Sequence, residues 1–183
     1  IGARPAVFDP VVVVVPALAA LGVQPAGKSG GRLAAAVEHL WRQSAEFLLT
    51  RSESPPAPPK DWRQEATLSC RCADCRELET FARNPAEREH RFRVRQDRRR
   101  HLHDAIGQHG LEMTHVTERQ GSPQTLVCTK DRRGYRWRCE QYRQDIAALA
   151  TLAGLREAGQ EGVRRELARI AAARARYEKW VPE

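Results

Sequence analysis

The chain has no apolar run long enough to cross a bilayer. Its longest, Val11 to Leu21, is interrupted by Pro16 and falls short of the roughly 20 residues that a spanning helix needs. No basic flank of the kind that opens a secretory signal accompanies it. An even set of cysteines is also missing: there are five, and Cys70, Cys72 and Cys75 are spaced C-x-C-x-x-C, too cramped for ordinary disulfide pairing. Odd number and tight spacing together indicate a reducing compartment, so we expect a cytoplasmic protein without membrane association. The H-E-x-x-H and H-x-E…P-C-x-x-C spacings of zinc enzymes are absent, which argues against a catalytic zinc. The chain opens on Ile1 rather than Met, and we expect a piece of a longer parent polypeptide.

Acidic residues run short in the middle. Between Arg83 and Arg143 there are 15 Arg and Lys against 8 Asp and Glu, which accounts for nearly all of the net charge of +8. Such a stretch favours an anionic partner such as nucleic acid, because counterion release drives phosphate binding. Arg also pairs with carboxylates in planar forks, so internal ion pairs with the interspersed Glu and Asp are the competing reading. At 183 residues and 41% apolar content, one ordinary domain or two small ones with a modest core is expected.

Periodicity predicts a mainly α chain with a small β-hairpin, an α+β arrangement. Residues 1–52 read as a helical segment. Val11 to Leu21 is apolar nearly all round, although five consecutive valines fit a buried strand equally well, and Arg32 to Thr50 aligns Leu33, Val37, Leu40, Trp41, Ala45 and Leu48 on one face. A Pro-rich linker occupies 53–61, around the run SESPPAPP from Ser52 to Pro59. A Cys-cluster helix–hairpin–helix module is expected over 62–153. Within it a basic helix runs from Pro85 to about Gly110, followed by a hairpin of Leu111 to Arg119 and Gln124 to Lys130 about Gly121, Ser122 and Pro123. A helix after Gly134 then carries Tyr135, Cys139, Tyr142, Ile146 and Leu149 at helical spacing. A charged C-terminal helix fills 154–183.

The cysteine cluster carries the most specific chemistry. Thiolates at C-x-C-x-x-C can converge on one tetrahedral ion, and zinc is the commonest ion for such ligands in a reducing cell. The fourth ligand must come from farther along, from His90, His101, His103, Cys128 or Cys139. His101 is favoured because the helix after the cysteine turn can swing back over it, with Asp97 one turn earlier to orient the ring. His103 points about 200° away from His101 around the same helix. Cys128 is the reserve ligand.

Two further patterns compete for attention. Gly22 to Ser29 matches G-x-x-x-x-G-K-S, but a phosphate-binding loop follows its strand directly and opens a helix, whereas Pro16 to Leu21 separates the valines from Gly22 and Gly30 and Gly31 weaken a helix start; an ordinary loop is the better reading. Arg98, Arg99 and Arg100, joined by Arg132, Arg133, Arg136 and Arg138 around Tyr135 and Trp137, combine cations and aromatics as nucleic-acid grooves do.

The run Cys70 to Cys75, with Phe81, Pro85, Arg99-Arg100-His101, Thr117-Glu118-Arg119, Gly121-Ser122-Pro123 and Thr125 to Lys130, resembles a cysteine-containing C-terminal region of large, poorly characterised proteins. Some of these also carry a 2-oxoglutarate- and iron-dependent oxygenase domain. The likeness covers roughly Trp62 to Leu152 and implies an accessory role only. Oxygenases of that type hold iron through H-x-D and a distant His, and none of the six histidines here has Asp two residues on. The expectation is therefore a non-catalytic, zinc-stabilised protein-interaction module, or accessory region, that meets a protein partner or other domains of its parent chain. The alternatives are a nucleic-acid-binding module and, last, an enzyme using Cys128 or Cys139 with a histidine.

Overall fold

Asp9 starts the first helix. Its Oδ1 accepts the Val11 N–H at 2.8 Å, and Pro10 follows at the first helical position, where a missing N–H costs nothing. A π-helical turn, Pro10–Val14, runs into α1, Val15–Ala20, so the valines are helical rather than extended. The computed structural model describes residues 9–21, 31–156 and 163–182, and the Gly22 to Ser29 match lies outside these. Helix α2 spans Arg32–Arg51, α3 Ala73–Arg83, α4 Gln96–Gln108, α5 Arg133–Gly154 and α6 Arg164–Glu178. Strands β1, β2 and β3 are Glu89–Arg93, Met113–Glu118 and Thr125–Lys130. The chain is mainly α with a small antiparallel sheet, as its periodicity predicts.

Two compact units share the chain. One joins 1–57 with 137–183, and the other is 58–136. In the first, Val14, Val15 and Leu18 pack with Trp41, Ala45 and Leu48 of α2, Ile146, Leu149 and Leu152 of α5, and Ile170 and Ala173 of α6. Trp41 is fully buried and donates from Nε1 to the Leu152 carbonyl at 2.9 Å. Only the second half of α2 is covered, since an apolar side chain is buried only where a neighbouring element reaches it. Leu33 is 74% exposed and Leu40 is also exposed, while Ser44 and Leu49 are buried, which corrects the expected α2 face.

The second unit corrects two more expectations. The helix expected from Pro85 to Gly110 is interrupted: α3 ends at Asn84 in extended backbone, and β1 comes before α4. In β1, His90 and Phe92, then Val94 beyond it, alternate with Arg91, Arg93 and Arg95, the period of two that marks a half-buried strand. Strand β1 pairs with β3 with Phe92 opposite Leu126, and β2 pairs with β3 with His115 opposite Cys128, so the hairpin is part of a three-stranded sheet in the order β1-β3-β2. The expected module boundary at 153 moves to Arg136, because Tyr142, Ile146, Leu149 and Leu152 of α5 belong to the first unit's core.

Phe92, Leu126, Cys128 and Met113 line the sheet's inner face. They pack with Leu68, Leu78 and Phe81, and with Leu102, Ala105 and Ile106 of α4. Gly110, at φ +60°, ends α4 in a Schellman motif: Leu111 N donates to Ile106 O at 3.1 Å and Gly110 N to Gly107 O at 3.2 Å. Lys130, fully buried, donates from Nζ to the Asn84 carbonyl at 2.6 Å and sits 4.5 Å from the Phe81 ring centroid. It thereby closes the C-terminal end of α3.

Candidate metal centre

Helices α3 and α4 bring the cluster together. Cys72 is the N-cap of α3, with extended backbone, and its Sγ accepts the Cys75 N–H at 3.4 Å. A thiol sulfur thus fills the role that a Ser or Asp oxygen usually plays at a helix start. Cys75, on the first turn, points into the core beside Leu78, and Cys70 lies on the extended approach. His101 comes from the middle of α4, with Nε2 3.1 Å from Cys75 Sγ and 3.6 Å from Cys72 Sγ.

Donor atoms of Cys70, Cys72, Cys75 and His101 all lie within 4.8 Å of one another. Metal–ligand bonds of about 2.3 Å to sulfur and 2.0–2.1 Å to nitrogen give tetrahedral edges of about 3.8 Å between sulfurs and about 3.6 Å from sulfur to nitrogen. The four residues therefore form a set that could hold a metal ion with small side-chain adjustments.

The electrostatics agree with that use. The Cys75 N–H, helped by Cys70, Cys75 and His101, brings the Cys72 thiol down to about 7. Burial first, then the neighbouring Cys72 and Cys70, pushes Cys75 up to about 12. Cys72 and Cys75 are thus driven in opposite directions, and a divalent cation between them would let both serve as thiolates.

Asp74 and Arg98 fasten the two helices at this point. Arg98 Nε donates to Asp74 Oδ2 at 2.7 Å, and its Nη2 bonds Oδ1 of the same carboxylate. The Arg98 guanidinium holds the Asp74 carboxyl below the usual range. His101 sits three residues after Arg98, so this fork sets the height of α4 against the cysteine turn. Asp97, the expected orienting group, makes no hydrogen bond to His101 among the described residues; it lines the same cleft as Cys70, Cys72, Asp74, Arg98 and His101. The sequence signal for the fork was an acid beside the last cysteine and a base one turn before the histidine.

The other ligand choices are engaged elsewhere. His90 bridges Glu77 and Glu87, at 2.8 and 2.6 Å, and stacks on Phe81. Cys128 is buried in β3, and burial alone pushes its thiol up to about 12, the opposite of an activated nucleophile. Cys139 is buried in α5. His103 faces away from the cluster and packs edge-on against His115, with ring centroids 4.3 Å apart.

The basic residues do not share one fate. Arg98 is tied to Asp74; Arg99 is buried and donates to the carbonyls of Val94 and Gln124 and to Gln124 Oε1. Arg132 lies over Trp62, with Arg88 on the same ring, and Arg133 pairs with Asp131. Arg100, Arg136 and Arg138 are exposed. No helix among the described residues is long and apolar enough to cross a membrane. No family model, curated protein or solved structure matches this chain.

Proposed function

We propose that the 58–136 unit is a non-catalytic, zinc-stabilised interaction module, in which Cys70, Cys72, Cys75 and His101 hold one structural Zn²⁺. The observation that carries this reading is the convergence of three sulfurs and one imidazole nitrogen within 4.8 Å. Soft thiolates select zinc over harder cations, and four protein ligands fill a tetrahedral ion, leaving no position for an activated water. A closed site of that kind clamps structure. Here it would join the α3 turn to α4, beneath a three-stranded sheet.

Metal analysis of the purified chain tests the proposal, with one equivalent of zinc expected and less than about half an equivalent counting against it. Cobalt replacement should give the intense absorption of tetrahedral thiolate ligation in the wild type and a weaker, shifted spectrum in His101→Ala.

The interaction role draws on the sheet's outer face, where Val116 is 64% exposed on the edge strand β2. The partner would be another protein or a further domain of a parent chain, as the resemblance to C-terminal accessory regions also implies. Proximity labelling in cells, comparing the wild type with Val116→Asp, tests it; identical neighbour sets would remove the role while leaving the metal reading intact.

A further inference from the structure

Helix α4 has a second working side. Away from the cysteine cluster, a cleft of about 480 Å³ opens between α4 and the sheet end, lined by Gln96, Arg99, Arg100, His103, Thr117 and Arg119, with Gln124 at its edge. It contains three guanidinium groups and no carboxylate. Arg83, Arg91, Arg98 and Arg133 of the same unit, by contrast, each hold an acid. Arg100 and Arg119 are exposed and make no ion pair or hydrogen bond among the described residues.

Arg99 gives the cleft its fixed point. Its side chain is buried, yet all its acceptors are neutral: Val94 O at 2.7 Å, Gln124 O at 3.3 Å and Gln124 Oε1 at 2.9 Å. A buried charge is ordinarily balanced by an opposite one. Those three bonds use two N–H groups on Nη1 and one on Nη2, out of the five a guanidinium carries. Nε makes no bond, and it is not among the buried unpaired donors, so it keeps access to solvent. The protein thus holds a buried guanidinium with donors to spare beside two exposed ones.

We propose that this cleft binds a compact phosphate-bearing small molecule, its phosphoryl oxygens held by Arg99, Arg100 and Arg119. Planar Arg forks match phosphate oxygens two at a time, and three guanidiniums lining one cleft suit a diphosphate better than a single negative charge. Thr117 and Gln124 supply neutral hydrogen bonds beside them. The cleft is open to solvent, and its lining comes from two short stretches, residues 96–103 and 117–124, rather than from a continuous basic strip along which a polymer backbone could track, which favours a small ligand over a nucleic-acid strand. The site uses none of the four cluster residues and stands independently of the zinc proposal.

Calorimetric titration of the full chain with inorganic pyrophosphate, inorganic sulfate and a short single-stranded oligonucleotide tests the inference. Saturable one-site binding of pyrophosphate is expected, at least tenfold tighter than sulfate. It should weaken tenfold or more in the Arg100→Gln/Arg119→Gln double variant and stay unchanged in Arg136→Gln. Both altered residues are exposed, so folding should survive. As a second readout, backbone amide shifts of the wild type should move at Thr117 and Gln124 on adding pyrophosphate. No saturable binding, equal affinity for sulfate, binding of the oligonucleotide alone, or an equal loss in Arg136→Gln would each overturn it.

Discussion

Removing the metal should destabilise the 58–136 unit selectively. That unit is small, and its core rests on a limited set of apolar side chains around Leu68, Phe81, Phe92 and Leu102, the size range in which folded proteins lean on metals or disulfides. A ligand that binds only the folded state stabilises it by RT ln(1 + [L]/Kd), about 2.7 kcal/mol at a free concentration of 100 Kd. For a domain of 60–100 residues, each kcal/mol moves the melting temperature by about 4–8 °C, so withdrawing zinc should lower it by about 10–20 °C. Hydrogen exchange with and without a chelator separates the units, because peptides from β1, α4 and β3 should lose protection while those from α2 and α6 keep theirs. His101→Ala should erase the chelator effect. Cys128→Ala, which trims the same core without touching a ligand, should lower stability equally in both conditions. Unchanged protection across 58–136 after chelation, in protein shown to have held zinc beforehand, would refute the reasoning.

Three further outcomes follow from particular contacts. Asp74→Asn should weaken metal affinity by about 10–100-fold in a competitive chelator titration, because it loosens the Arg98 fork that sets His101 in place; an affinity within twofold of wild type would leave Asp74 an acid of the first turn of α3 with no bearing on the metal. Burial lowers the His90 pKa, but Glu77 and Glu87 more than offset it, and the net shift is upward. The protonated ring is therefore favoured by folding: its contribution is present in full below about pH 6.5 and is lost as pH rises through the folded value. Denaturant melts of wild type and His90→Gln at pH 6 and pH 8 should differ more at pH 6, and a constant difference would contradict the sign. Trp41→Phe should cost about 1.5–3 kcal/mol by urea unfolding, since it opens a cavity and removes the indole bond to the Leu152 carbonyl, which keeps only the Leu155 N–H; a loss below about 1 kcal/mol would mean that the pocket collapses around the smaller ring.

Much of the molecule was readable in its residues, and the failures have physical causes. C-x-C-x-x-C is informative because three short thiol side chains leave few arrangements, and a histidine on the next amphipathic helix can reach them only by the packing of that helix. Repeated prolines announce the non-helical stretch from Glu53 to Pro59, and Tyr142, Ile146 and Leu149 show their helix by spacing. The same spacing says that a stripe is buried but not in which core, and most of α5 packs in the first unit rather than with the cysteine cluster. Strand β1 escaped because arginines dominate its outward positions and hide the alternation of His90, Phe92 and Val94. Leu33 and Leu40 misled for the converse reason: hydrophobicity marks what can be buried, while coverage by a neighbour decides what is.

The order of segments along the chain has its own consequence. Residues 58–136 interrupt the other unit as a guest interrupts a host, so the host must join two stretches of sequence separated by the whole length of the insert. Were the guest to melt, the host would exchange a folded bridge for a slack loop, whose closure by the logarithmic law costs about 4 kcal/mol at this length. Folding of the insert thus lowers the entropy that the host must overcome to bring its two stretches together.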